Sequence, residues 1–171
     1  MALRLIVGVL KRKFPNVPVI TTDELQNLMK TSQARRKLVL LDTREENEYK
    51  VSHLSKAVRL NPEETDMSKV IKMIQEKAGP PETDPKTVVC YCAVGYRASI
   101  MSQRLLDELK KQQNTSMKPD LDVYSLEGAV FKWANERKEL VDPNGNSTPM
   151  VHGIDRLWGN LVFKDIKKLD P

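Results

Sequence analysis

Cysteine is scarce. Two in 171 residues cannot frame a fold on disulfides, and so few fit a reducing compartment. The two histidines, His53 and His152, stand far apart, and no Cys/His spacing resembles a zinc site, so neither a metal nor a cofactor is expected. Aromatic residues make up 5% of the chain, which leaves the core to aliphatic side chains. No apolar run approaches the roughly 18 residues of a membrane span, so a membrane is not an expected partner. Charge is nearly balanced, at 28 Lys and Arg against 23 Asp and Glu. The excess sits in short runs (Lys11-Arg12-Lys13, Arg35-Arg36-Lys37, Lys167-Lys168) without the aromatic or glycine interleaving of a nucleic-acid surface. These runs read as solvated faces, and nucleic acid is not an expected partner.

The first residues are ambiguous in one respect. Ala2 to Leu10 is apolar apart from Arg4, and the basic cluster follows it, the reverse of a secretory signal. The first 22 residues carry no acid, as in a mitochondrial presequence, but they lack serine and have few arginines. The expected location is the cytoplasm, with the mitochondrion as the alternative.

What is present is an ordinary core for one domain: 40% hydrophobic and 30% charged residues. Short β-rich runs alternate with helical patterns. Val17 to Ile20, with Pro18, reads as an edge strand, and Thr21-Thr22-Asp23-Glu24 as a capping box opening a helix with Leu25, Leu28 and Met29 on one face. Lys37 to Asp42 is a continuous apolar run ending in an acid, as in a strand buried on both faces. Glu45 to Lys50 is a short polar helix and Ala57 to Leu60 a strand. In Pro62 to Ala78, Met67, Val70, Ile71, Ile74 and Ala78 form one helical stripe, which Gly79-Pro80-Pro81 stops. Thr87 to Tyr91 is the most β-prone run, followed by a helix with Ala98, Met101, Leu105 and Leu109 buried. Asp122 to Leu126 and the Val130, Trp133, Ala134 helix close the unit. The alternation predicts an α/β fold with a mostly parallel five-stranded sheet and helices on both faces. Residues 1–16 read as an N-terminal extension, 17–138 as the domain, and 139–171 as an extension packing back on it. Asp142 to Ser147 is a loop-forming cluster there, and Trp158, Leu161, Val162 and Phe163 are too few for a second core.

One segment carries chemistry. In such sheets ligands bind where a strand's C-terminal end meets a loop that opens a helix. Cys92-Ala93-Val94-Gly95-Tyr96-Arg97 occupies that place after the strongest strand. A helix N-terminus stabilises a thiolate, converging amides form an anion cradle, Gly95 permits positive φ, and Arg97 adds a fixed cation. Cys90, two residues earlier, points to the same side of the sheet but deeper, and reads as core.

These segments resemble the rhodanese-like sulfurtransferase family. Leu40 to Tyr49 (LLDTREENEY) is similar to the family's Asp-x-Arg strand end and glutamate-rich helix. Ser52 to Pro62 (SHLSKAVRLNP) resembles its Gly-His-Ile-x-Gly-Ala segment, with Ser52 and Lys56 in place of glycines. Val88 to Ser99 resembles the active-site strand, loop and helix start, and Tyr124 to Glu136 the terminal Leu-x-Gly-Gly-x-x-x-Trp motif with Ala129 at the second glycine. Val151 to Gly159 resembles an extension found on some single-domain members.

The resemblance implies a sulfane-sulfur transferase. Cys92 would be the nucleophile and carry a persulfide, held by the amides of Ala93, Val94, Gly95, Tyr96 and Arg97. Thiosulfate or a related persulfide is the expected small-molecule donor, and a thiol or protein the expected acceptor. Asp42 is expected to steady the loop, Arg44 to attract an anionic donor, and Tyr96 to stand at the entrance. Two bland readings stand beside these: Asp42 as a turn cap, and Arg44 paired on the surface with Glu46 or Glu48. His53 reads as structural. Four residues separate Cys92 from Arg97 and six separate Cys90 from it, so neither register gives the Cys-x5-Arg of the related phosphatases. Ala93 and Val94 are uncharged where thiosulfate-preferring members carry cations. The alternative function is a protein-interaction or sulfur-carrier module with little turnover; a phosphatase or a reductase is the remaining reading.

Overall fold

The computed structural model describes residues 2–31, 37–77, 86–114 and 120–170. Helix α1 (Ala2–Lys13) precedes strand β1 (Val19–Ile20) and helix α2 (Thr22–Lys30). Then follow β2 (Leu38–Asp42), α3 (Glu46–Val51), β3 (Val58–Arg59), α4 (Met67–Lys77), β4 (Lys86–Tyr91), α5 (Tyr96–Lys111), β5 (Leu121–Leu126) and α6 (Ala129–Asn135). These five strands form one sheet in the order β1-β5-β4-β2-β3, and every pairing in it is parallel. The fold is therefore α/β with a five-stranded central sheet, as the alternation predicts.

Strand periodicity divides the core. Val39, Leu41, Val88, Cys90 and Cys92 fall on one face, under Val70, Ile71 and Ile74 of α4 and Met101 and Leu105 of α5. Leu40, Val89, Tyr91 and Ala93 fall on the other, with Leu25 of α2 and Val130, Phe131 and Trp133 of α6. Burial of both faces explains the unbroken apolar character of β2 and β4. At the edge, Pro18 has no N–H for a ladder, and its carbonyl instead accepts from the Ser125 N–H at 2.9 Å. The capping box is present: Glu24 Oε2 accepts from the Thr21 N–H at 2.8 Å, and Thr21 Oγ1 from the Glu24 N–H at 3.2 Å.

Boundaries shift where side chains intercept backbone donors. Helix α4 starts at Met67 rather than at Pro62, because Asn61 and Asp66 take up the amides of Glu63 and Lys69 at 3.0 Å each. The expected stop at Gly79-Pro80-Pro81 and the run Arg35-Arg36 lie outside the described residues.

The segment after Lys138 packs back on the domain. A hairpin of β6 (Leu140–Val141) and β7 (Ser147–Thr148) turns through the Asp142–Asn146 cluster, and β8 (Val151–His152) pairs with β9 (Lys167–Lys168). Val151, Val162 and Ile166 fill the core here, whereas Phe163 and Trp158 remain substantially exposed. Ser52 Oγ donates to the Met150 carbonyl at 2.6 Å and Asn135 Nδ2 to that of Leu161 at 2.8 Å.

At the other end, residues 2–13 form a helix the sequence reading did not assign. Leu3, Ile6, Val7 and Leu10 follow the i, i+3, i+4, i+7 spacing that gives it an inner face. Among the described residues no helix is long and apolar enough to cross a membrane.

Candidate active site

Strand β4 lies at the centre of the sheet and ends at Tyr91; Cys92 follows, and α5 opens at Tyr96. Gly95 is the residue that turns the chain. Its φ of 113° lies in the left-handed region closed to most side chains. That conformation turns its N–H onto Cys92 Sγ at 3.1 Å. Its carbonyl is fixed in turn by the N–H and hydroxyl of Ser99, at 2.9 and 2.8 Å.

The loop is tied down from α6. The first amides of a helix have no acceptor within it. Here the N–H groups of Val130 and Phe131 donate to the carbonyls of Cys92 and Ala93, each at 3.0 Å. Gly128 and Ala129, both at positive φ (70° and 51°), make the turn that delivers those amides. Ala129 thus holds a left-handed backbone that a glycine would adopt without steric cost.

Cys92 itself is 1% exposed and stands at the N-terminal end of α5, the positive end of that helix's dipole. Arg97 is partly exposed, and its guanidinium forms a bidentate pair with Glu48: Nη1 to Oε2 at 2.7 Å and Nη2 to Oε1 at 2.9 Å. Burial works against the charge on Arg97, but its hydrogen bond to Glu48, the Cys92 sulfur beside it and the Glu48 charge outweigh burial and hold it firmly protonated. Burial likewise works against Glu48, and the hydrogen bond and charge of Arg97 overcome it, holding the carboxyl below its usual range. Sequence reasoning named Glu48 only as a surface partner for Arg44 and missed its pair with Arg97. Its signal was its place three residues after Glu45 in a capping box, which points the side chain back toward the helix start.

Asp42 and Arg44 form a second pair, wholly buried, with Nη2 to Oδ2 at 2.6 Å and Nε to Oδ1 at 2.8 Å. Arg44 also donates to the Ser52 carbonyl at 2.7 Å. The expectation that Arg44 attracts an anionic donor is corrected: it reaches no solvent, and its charge is spent on Asp42. A surface pairing with Glu46 or Glu48 is corrected by the same contacts. The pair lies under Tyr91, whose carbonyl takes the Thr43 N–H at 2.9 Å, so it braces the end of β4 rather than touching Cys92.

Burial and contacts place the remaining candidate residues. Ala93 and Val94 are buried, and Tyr96 stands 44% exposed at the rim. Cys90 is fully buried on the same face as Cys92, and burial pushes its thiol up to about 12. His53 stacks on Tyr49 at 3.8 Å between ring centroids, and its backbone pairs with Val141. Helix α1, unforeseen, brings Lys13 Nζ within 3.4 Å of the Tyr96 hydroxyl.

A family profile described as Rhodanese-like domain matches residues 21–136. The chain belongs to the rhodanese-like domain family. Solved structures similar to this rhodanese-like chain include the As-Sb reductase from Leishmania major (TM-score 0.55, 17% identity, 77% of this chain and 92% of that one). Another is a yeast protein tyrosine phosphatase of the Rhodanese family (TM-score 0.55, 19% identity, 69% of this chain and 84% of that one). A third is the thiosulfate sulfurtransferase from Pseudomonas aeruginosa (TM-score 0.53, 19% identity, 84% of this chain but 23% of that one). At these identities the likeness is one of fold. No curated protein matches in sequence. The rhodanese-like match begins at the capping box of α2, so α1 is an addition to it.

Proposed function

We propose that this rhodanese-like domain is a sulfurtransferase that moves a sulfane sulfur from thiosulfate or a related persulfide donor to a thiophilic acceptor through a persulfide on Cys92. The observation that carries the reading is the Gly95 N–H on Cys92 Sγ at the N-terminus of α5, with Arg97 beside the sulfur. In the first step the Cys92 thiolate attacks the outer sulfur of thiosulfate. The donor's S–S bond breaks, sulfite leaves with the bonding pair, and Cys92 becomes a persulfide anion. In the second, an acceptor such as cyanide or a thiolate attacks the terminal sulfur, the Cys92–sulfur bond breaks, and the thiolate is restored. Net charge is the same before and after each step, so no proton donor is required at the sulfur. Gly95 N–H and the α5 dipole stabilise the anion on Cys92, and Arg97, locked by Glu48, closes the loop electrostatically.

Loop length argues against phosphoryl chemistry. Four residues between Cys92 and Arg97 make a smaller cradle than the five of the phosphatases. Two free cysteines among the described residues suit a reducing compartment, with the cytoplasm as the proposed location. Incubation with thiosulfate should add one sulfur, about 32 Da, to the Cys92 peptide, and Cys92→Ser should lose both that adduct and transfer. A persulfide that forms but does not turn over would indicate a sulfur carrier. Hydrolysis of an aryl phosphate faster than sulfur transfer would overturn the reading.

A further inference from the structure

The candidate site has little unspent positive charge. Arg97 is paired with Glu48, Arg44 with Asp42, and Ala93, Val94 and Gly95 contribute none. Thiosulfate and the sulfite it releases are anions, so a mouth that admits them gains from a cation that no carboxylate neutralises.

Helix α1 brings such a cation. Its last turn docks on the outside of the active-site loop: a Cβ added to Gly95 would lie 3.1 Å from Leu10 Cδ1, and the Phe14 ring meets Tyr96 edge-on at 6.1 Å. The gap left between helix and loop is about 20 Å³, room for a single water. Three basic residues close the helix. Lys11 is paired with Glu127 at 2.6 Å, and Arg12 Nε bonds the Gly8 carbonyl at 3.2 Å. Lys13 differs. It is exposed, its Nζ sits 4.8 Å from the centroid of the Tyr96 ring, and among the described residues it has no carboxylate partner. Tyr96 is the first residue of α5, so a cation held on its ring is anchored to the active-site loop.

Resting on the sulfur-transfer reading above, we propose that Lys13 is a specificity-determining residue for an anionic sulfur donor, a rim cation with no carboxylate partner among the described residues, where the loop's own Arg97 is neutralised by Glu48. It acts by drawing the anion to the mouth of the Cys92 site and takes no part in bond making.

The test compares alkylation of Cys92 by anionic iodoacetate and neutral iodoacetamide in the full chain, followed by peptide mass spectrometry so that Cys90 is counted separately. With two units of charge changed at the rim, Lys13→Glu should slow iodoacetate by about tenfold relative to iodoacetamide. Lys13→Met, which keeps the stem against Phe14 and Tyr96, should give a smaller effect of the same sign, and Lys13→Arg should keep the native ratio. Salt at about 1 M should compress the differences. An iodoacetate-to-iodoacetamide ratio equal in the native chain and Lys13→Glu overturns the proposal. Alkylation needs no sulfur donor, so this result stands even if the transferase reading fails. Where the native chain does turn over thiosulfate, Lys13→Glu should raise KM with little change in kcat, and an unchanged KM overturns the role in donor specificity.

Discussion

Arg97 and Glu48, 49 residues apart in the chain, meet in a two-pronged ion pair at 2.7 and 2.9 Å, with Arg97 on the first turn of the helix that follows the Cys92 loop. The carboxylate is almost fully buried and the guanidinium partly exposed, so the pair sets where the loop's one cation points. Glu48→Gln should leave the fold in place but free Arg97 to swing to solvent, lowering kcat/KM for sulfur transfer by about 10- to 100-fold. Steady-state kinetics beside circular dichroism would check it.

The same pair makes stability depend on pH. The Glu48 carboxyl ionises below its usual range in the folded chain, so the unfolded chain binds more protons in acid. Its contribution is complete above the ordinary glutamate value of about 4.3 and is lost as the pH falls through the lower folded value. Urea unfolding at stepped pH should therefore show native chain and Glu48→Gln differing most near neutrality and converging in acid.

Asp42 and Arg44 share no solvent. Removing one partner leaves the other's charge buried, so Asp42→Ala should cost about 3–5 kcal/mol of stability. Replacing both with apolar residues should recover much of that loss, and a double-mutant cycle by chemical denaturation measures the coupling.

Gly95→Ala should hurt twice. The added methyl meets Leu10 and is forced into positive φ, with an expected loss of about 1–3 kcal/mol and a large fall in transfer activity as the Gly95 N–H leaves the sulfur. Leu10→Ala in the same chain should relieve the steric part alone. Thermal unfolding separates the two contributions.

Cys90 offers a contrast with Cys92. Burial pushes its thiol up to about 12, so it stays protonated and unreactive at neutral pH. Cys90→Ser should retain persulfide formation while lowering stability by about 1 kcal/mol or more, because a hydroxyl is buried in an aliphatic layer. Comparison of the two serine variants by mass spectrometry and by melting checks this.

Local chemistry made much of the molecule readable. The β4–loop–α5 unit is contiguous, so strand propensity, the glycine, the cysteine and the arginine declare themselves within Thr87 to Arg97. The same holds for the capping box at Thr21 and the helical stripe of α4. Glu48 was read only as a surface partner for Arg44, because its actual partner, Arg97, lies 49 residues away. Arg44 was misread because an arginine next to a strand end looks exposed until the sheet and the segment around Ser52 close over it.

The amino-acid order by itself determined the alternation of strands and helices, the sheet class and the position of Cys92 at a strand end, since each follows from side-chain periodicity and backbone freedom within a few residues. Only the tertiary structure decided which charges are spent and which are free, because ion pairing and desolvation depend on distances between segments that the chain keeps far apart. It also turned an apolar N-terminal stretch into a helix set against the active-site loop, a placement that local spacing allows but only packing on Gly95 and Tyr96 selects.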